Sequence, residues 1–219
     1  DEKKWPPPQV AGFINRCKDE IQRPADLADD GKPVQRQYRQ IYTIYQQECE
    51  RGGLVDFGEL LLRAYELWRD NPDLLAHYQE RFRHVLVDEF QDTNTIQYQW
   101  VRLLGGGQGD VLIVGDDDQC VYGWRGSKVE NIQRFADDFP GARTIRLEQN
   151  YRSTHNILKA ANALIAHNAN RLGKNLWTAD GDGEPIQVYN AFNETDEARF
   201  VVERIRQWVE QGGQRRDVA

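Results

Sequence analysis

Methionine is absent from all 219 residues, position 1 included, and the chain opens on Asp1-Glu2-Lys3-Lys4-Trp5. Such an opening is expected of an internal fragment of a longer protein. Cysteine is scarce: Cys17, Cys49 and Cys120 are odd in number, far apart, and form no CxxC pair. This argues against a disulfide framework or a zinc site and fits a reducing compartment, with the cytoplasm expected. No run approaches the roughly 20 apolar residues of a membrane span, and no charged-then-apolar leader opens the chain, so a soluble protein is expected. Positive charge is also short, with 28 Lys and Arg against 35 Asp and Glu, a formal net charge of −7. Phosphate binding draws mainly on Lys and Arg releasing counterions, so a non-specific nucleic-acid coat is excluded. Any nucleic-acid contact must be a local channel.

What is present is a change of pattern near Arg83. Before it the periodicity is helical. Val10, Phe13, Ile14 and Cys17 recur at helix spacing after Pro6-Pro7-Pro8, and Tyr38, Ile41, Tyr42, Tyr45 and Cys49 trace one face of a longer helix that Gly52-Gly53 stops. Asp56 reads as the N-cap of a further helix, and Pro72 opens another. The tyrosine stripe is read as core, because buried faces select that spacing.

After Arg83, strands alternate with helices. Val85 to Val87, in a strand at residues 84–87, and Val111 to Val114 are short continuous apolar runs, expected to be buried strands. Helices are expected around 96–104 and 129–139, and a third strand at 144–147. Beyond Gln149 a helix capped by Ser153 or Thr154, a strand at 186–189 and a last helix through Val201, Val202, Ile205, Trp208 and Val209 follow. Strand, helix, strand with short connections implies an α/β fold with a parallel sheet.

Both strands end in acids, and the carboxyl edge of such a sheet is where ligands bind. Asp88-Glu89 follows the first. An Asp there can hold Mg²⁺ against nucleotide phosphates and the adjacent Glu can polarise water, although acids after strands also serve as helix caps. The second strand leads into Gly115, the crowded Asp116-Asp117-Asp118, which calls for a cation or paired basic groups, and Gln119, able to donate and accept. Tyr122, Trp124 and Arg125 follow on a loop. They suit stacking on unpaired bases, or else cover the sheet. In Leu147-Glu148-Gln149-Asn150-Tyr151-Arg152-Ser153, the Arg is either an arginine finger at a domain junction or an exposed residue in a capping turn.

DEFQDTN, VGDDDQCVYGWRGS and LEQNYRS, in that order and spacing, resemble the second, third and fourth motifs of superfamily 1 DNA helicases, most closely the UvrD/Rep/PcrA group. LVDFGELLLRA and GSKVENIQRF extend the resemblance over essentially the whole chain. It implies two incomplete P-loop NTPase (RecA-like) sheets with an all-helical insertion: residues 1–83 the insertion, 84–148 the back of the first RecA-like domain, 149–219 the front of the second. It implies ATP and Mg²⁺ as cofactors, with Asp88 the Mg²⁺ carboxylate, Glu89 the general base, Gln119 the γ-phosphate sensor, Arg152 the arginine finger and Tyr151 stacked on adenine. Tyr122, Trp124 and Arg125 would contact single-stranded DNA. The implied activity is ATP-driven 3′-to-5′ translocation and unwinding in DNA repair, on single strands and single-strand/duplex junctions, alongside repair proteins.

One departure stands out. No GxxxxGK[ST] occurs, since Gly31-Lys32 precedes Pro33 and Gly173-Lys174 precedes Asn175. The chain as given is therefore expected to be inactive alone. Two other classes stay open: a non-catalytic single-strand-binding module built on Tyr122 and Trp124, and a metal-dependent nuclease using Asp116 to Asp118.

Overall fold

The computed structural model describes residues 4–28, 31–107, 109–169 and 171–218. They form two compact units, residues 1–145 with 170–172, and residues 146–169 with 173–219.

The first unit begins with four helices whose ends are set by local chemistry. α1 (Pro7–Asp19) and α2 (Pro33–Gly52) each carry proline in the first turn, where no N–H is needed. α2 stops at Gly53, which takes φ +63°, a left-handed cap that a side chain would disfavour. α3 (Phe57–Asp70) is capped by Asp56, whose Oδ1 accepts the Glu59 N–H at 2.7 Å. α4 (Pro72–Arg81) follows. The tyrosine stripe is core: Tyr42 is fully buried with Ile14 and Cys17, and Tyr38 packs edge-on to Trp5 and against Phe13.

Deeper still lies an ionic cluster the periodicity did not signal. Lys18 Nζ sits 2.7 Å from Asp56 and 3.0 Å from Glu59. Glu59 also takes Arg23 at 2.8 Å and Arg63 at 2.7 Å, and Arg23 reaches on to Glu66. Burial pushes the Glu59 carboxyl up, but hydrogen bonds from Arg63, Arg23 and Lys18 outweigh it and hold the group at about 2.

The chain then forms β1 (His84–Val87), α5 (Thr95–Gly105), β2 (Asp110–Ile113) and α6 (Glu130–Asp138). β1 and β2 pair in parallel, His84 opposite Asp110 and Val87 opposite Ile113, as strand-helix-strand connectivity requires. α5 is started by a capping box: Asn94 and Gln97 each accept the other's backbone N–H through their side chains. Phe90, Tyr98, Val101 and Phe135 make the core, with Val87, Val111 and Ile113 packed on it. Trp100 joins this layer to the helices, meeting Trp68 at 4.7 Å and donating to the Leu61 carbonyl.

Three expectations are corrected. The strands are covered on one face only: Val85 and Val87 are partly buried, whereas Leu86 is 70% exposed. A continuous apolar run does not tell which face a neighbouring layer will cover. Residues 144–147 and 186–189 are not strands among the described residues, and Ile145, Leu147, Ile186 and Val188 are exposed. A strand exists only where a second chain segment forms a ladder with it, and among the described residues neither run is assigned to one.

In the second unit, α7 (His155–Ile165) starts at Thr154, but its hydroxyl makes no capping bond. Instead the Gly181 and Asp182 carbonyls accept the His155 and Asn156 N–H groups. α8 (Glu194–Glu210) is capped by Asn193. Among the described residues, the segments before and after α7 pair through one isolated parallel bridge, Gln149 to Trp177.

Candidate functional site

The carboxyl ends of β1 and β2 are laced together beyond the ladder. Val114 N donates to the Val87 carbonyl at 2.8 Å, and Phe90 N to the Val114 carbonyl at 2.9 Å. Between these bonds the chain passes through Glu89, whose φ is +49°. A non-glycine residue rarely sits in the left-handed region, and persists there only where its surroundings over-determine it. Here they do. Asp92 N donates to the Glu89 carbonyl, and Gln91 Nε2 donates to Glu89 Oε2 at 2.6 Å.

Gln91 is the side chain the sequence reading passed over. Almost wholly buried, it donates to Glu89, while its Oε1 accepts the Asp116 N–H at 3.0 Å. Asp116 Oδ2 in turn accepts Gln119 Nε2 at 2.6 Å. Glu89 and Gln119, expected on separate strands, are thus ends of one hydrogen-bonded chain through Gln91 and Asp116. Gly115 permits it: a Cβ there would stand 2.8 Å from Gln91 Oε1 and 3.2 Å from Phe90 N. The available signal was its place in the DEFQDTN motif, since no periodicity marks it.

Asp88 is exposed at the end of β1, and its Oδ1 accepts the Glu89 N–H at 2.9 Å. An exposed carboxylate is a hard oxygen donor, which fits a hydrated Mg²⁺.

The acid cluster has its basic partner. Arg171 grips Asp118 with two donors, Nε lying 2.8 Å from Oδ1, and Leu172 N donates to Asp117 Oδ2 at 2.7 Å. Asp116 Oδ1 accepts the Asp118 N–H at 3.0 Å. Fixed donors therefore offset part of the crowding, while the three carboxylates still lie within 4.8 Å of one another, close enough to share a metal ion.

Downstream of Gln119, Cys120 Sγ lies 3.5 Å from the Gln91 carbonyl, tying the following loop to the same glutamine. Tyr122 and Trp124 face each other at 6.3 Å, and the Arg125 guanidinium lies 5.4 Å from the first ring and 5.2 Å from the second. Trp124 is 79% exposed, so it does not cover the sheet. An exposed indole with a stacked guanidinium is a surface on which an unpaired base can stack.

Tyr151 and Arg152 belong to the second unit. Both are exposed, and Asn150 Oδ1 accepts the N–H groups of Arg152 and Ser153 at 2.9 and 2.8 Å, a tight turn that presents the two side chains outward. Among the described residues, no helix is long and apolar enough to cross a membrane.

Residues 1–140 match the UvrD/REP helicase N-terminal domain, and residues 145–219 the UvrD-like helicase C-terminal domain. The chain is 64% identical over 213 residues to DNA helicase II of Escherichia coli (strain K12), covering 97% of this chain and 30% of that protein. With DNA helicase II of Haemophilus influenzae the identity is 58% over 219 residues, 100% of this chain and 30% of the relative. The ATP-dependent DNA helicase PcrA of Leuconostoc citreum shares 44% over 208 residues, 94% of this chain and 28% of the relative. The chain thus spans about a third of the length of these relatives. With both family domains matched in order across nearly all its residues, it belongs to the UvrD/REP helicase family.

Proposed function

We propose that this chain carries the hydrolytic edge and the DNA-contacting loop of an ATP-dependent DNA helicase, in which ATP hydrolysis drives movement along single-stranded DNA. The observation that carries the reading is the hydrogen-bonded chain Glu89–Gln91–Asp116–Gln119, which starts at a strained acid after β1 and ends beside an exposed aromatic loop. Residues 84–148 and 149–219 are read as parts of two P-loop NTPase domains, and 1–83 as a helical insertion in the first.

In this reading Glu89 accepts the proton of the attacking water. Its left-handed backbone and its bond to Gln91 fix where the carboxylate points. Asp88 would hold Mg²⁺, which would supply charge neutralisation at the phosphates. Gln119, held by Asp116, meets the terminal phosphate. Because Gln91 also holds the Cys120 sulfur through its carbonyl, a shift at Gln119 or Glu89 is transmitted to Tyr122, Trp124 and Arg125, which stack on DNA bases. Arg152 supplies positive charge to the transition state, and Tyr151 stacks on adenine. The finer reading is 3′-to-5′ unwinding at single-strand/duplex junctions in DNA repair, with repair proteins as partners, in the cytoplasm.

The test is a replacement protein in which residues 1–219 substitute for the matching segment of Escherichia coli DNA helicase II. ATP-dependent unwinding of substrates with a 3′ tail is expected. Glu89→Gln should lower hydrolysis by about 10²-fold or more, the scale of a lost general base, with DNA binding retained. Unchanged turnover in that variant removes Glu89 from its role. DNA binding without hydrolysis in the unsubstituted replacement protein points instead to a non-catalytic single-strand-binding module.

A further inference from the structure

The loop bearing Tyr122, Trp124 and Arg125 is closed mainly on itself. Arg125 N and Ser127 N donate to the Tyr122 carbonyl, and Gly126 N to the Gly123 carbonyl. Cys120 ties the loop to the fold before Tyr122, and Lys128 does so after Ser127. Lys128 N donates to the Thr93 carbonyl at 3.0 Å, and Lys128 Nζ meets both oxygens of Glu20, at 2.7 and 2.9 Å. Glu20 Oε2 also accepts the Thr95 hydroxyl at 3.0 Å, at the start of α5.

Glu20 is the C-cap of α1, next to Asp19. A carboxylate at a helix C-terminus opposes the helix dipole, and an adjacent acid repels it. Local structure therefore disfavours this residue, and its two partners lie 75 and 108 positions away in sequence. These side-chain bonds to Thr95 and Lys128 are long-range, toward the segment that carries the aromatic loop.

We infer that Glu20 is a positioning residue for single-stranded DNA, through which the helical section holds the Tyr122–Trp124–Arg125 loop in place by gripping Lys128 and Thr95. This rests on the proposed DNA-contacting role of that loop. The assignment makes α1 part of the DNA-binding apparatus without touching DNA.

The sign of one substitution separates positioning from plain electrostatics. Glu20→Gln removes a negative charge near the loop, and long-range attraction to phosphate alone would then tighten DNA binding. Positioning requires the opposite. In titrations of the 219-residue chain with a fluorescently labelled oligothymidylate, Glu20→Gln is expected to weaken binding about three- to five-fold, the size a half-exposed ion pair supports. Thr95→Val, which changes no charge, is expected to weaken it less but in the same direction. Urea midpoints of both variants should stay close to that of the unsubstituted chain. Trp124 should gain nanosecond mobility, read from fluorescence anisotropy as the difference from matching Trp124→Phe proteins. Trp124→Ala is the control for the underlying reading: if it leaves affinity intact, the DNA-contacting role of the loop fails and this inference with it. If Trp124→Ala weakens binding while Glu20→Gln tightens it or leaves it unchanged, the positioning role alone is overturned.

Discussion

The side-chain carbonyl of Gln91 accepts the backbone N–H of Asp116 at 3.0 Å, so a single buried amide joins the two acid-bearing ends of the sheet. Because the same amide donates to Glu89, that carboxylate and the Asp116–Gln119 segment share one mechanical element.

Gln91→Ala should therefore harm both stability and turnover. Removing the acceptor of the partly buried Asp116 N–H is expected to cost about 1–3 kcal/mol, measured by urea denaturation. Gln91→Glu keeps the acceptor but places a like charge beside Glu89, which raises the pKa of a carboxylate. The pH–rate profile of ATP hydrolysis in the replacement protein should move to higher pH. An unmoved profile would show that the amide does not act on Glu89.

Gly115→Ala tests the closeness of the strand ends. Its Cβ would stand 2.8 Å from Gln91 Oε1, so the amide must shift or the backbone must part. Overpacking of this kind is expected to cost about 1–3 kcal/mol. Hydrolysis should fall further than the stability loss explains, because the displaced atom belongs to the Glu89–Gln119 chain. Melting and steady-state kinetics on the same preparation check both.

Trp124→Ala should be silent in melting, since the indole is mostly exposed, and costly in DNA binding. Stacking on one base is worth about 1–3 kcal/mol, or roughly five- to 150-fold in affinity. Equal affinity for oligonucleotides of different sequence is expected, because every base offers a π face.

The helical section should be acid-sensitive through Glu59. Its carboxyl sits at about 2 when folded, below its ordinary 4.5. A depressed folded value stabilises the fold fully above pH 4.5, and that contribution is lost as pH falls through about 2. Helical circular dichroism followed across that window should show the loss, and Glu59→Gln should flatten it. Lys18→Met, which removes the buried ammonium shared by Asp56 and Glu59 while Glu59 keeps Arg23 and Arg63, is expected to cost about 3 kcal/mol.

How much of this was legible in the sequence depends on the range of the interaction. Helix ends were readable because they are local: Asp56 caps α3 from three residues away, and Gly53 ends α2 by its own backbone freedom. The tyrosine stripe and the parallel pairing of β1 with β2 followed from periodicity and connectivity. The strands expected at 144–147 and 186–189 did not form, because strand propensity describes a segment, while a strand needs hydrogen bonds from another.

The sequence by itself determined which residues to propose for the chemistry, since Asp88, Glu89, Gln119, Tyr122, Trp124, Arg125, Tyr151 and Arg152 sit in motifs recognised by residue type and spacing. Only the tertiary structure decided how those in the first unit are wired. Gln91 bridges two strands, Arg171 neutralises Asp118 across 53 positions, and Glu20 reaches Lys128 across 108. The physical reason is that a hydrogen bond or ion pair is made within about 3 Å in space, and separation along the chain places no mark on the residues that will meet.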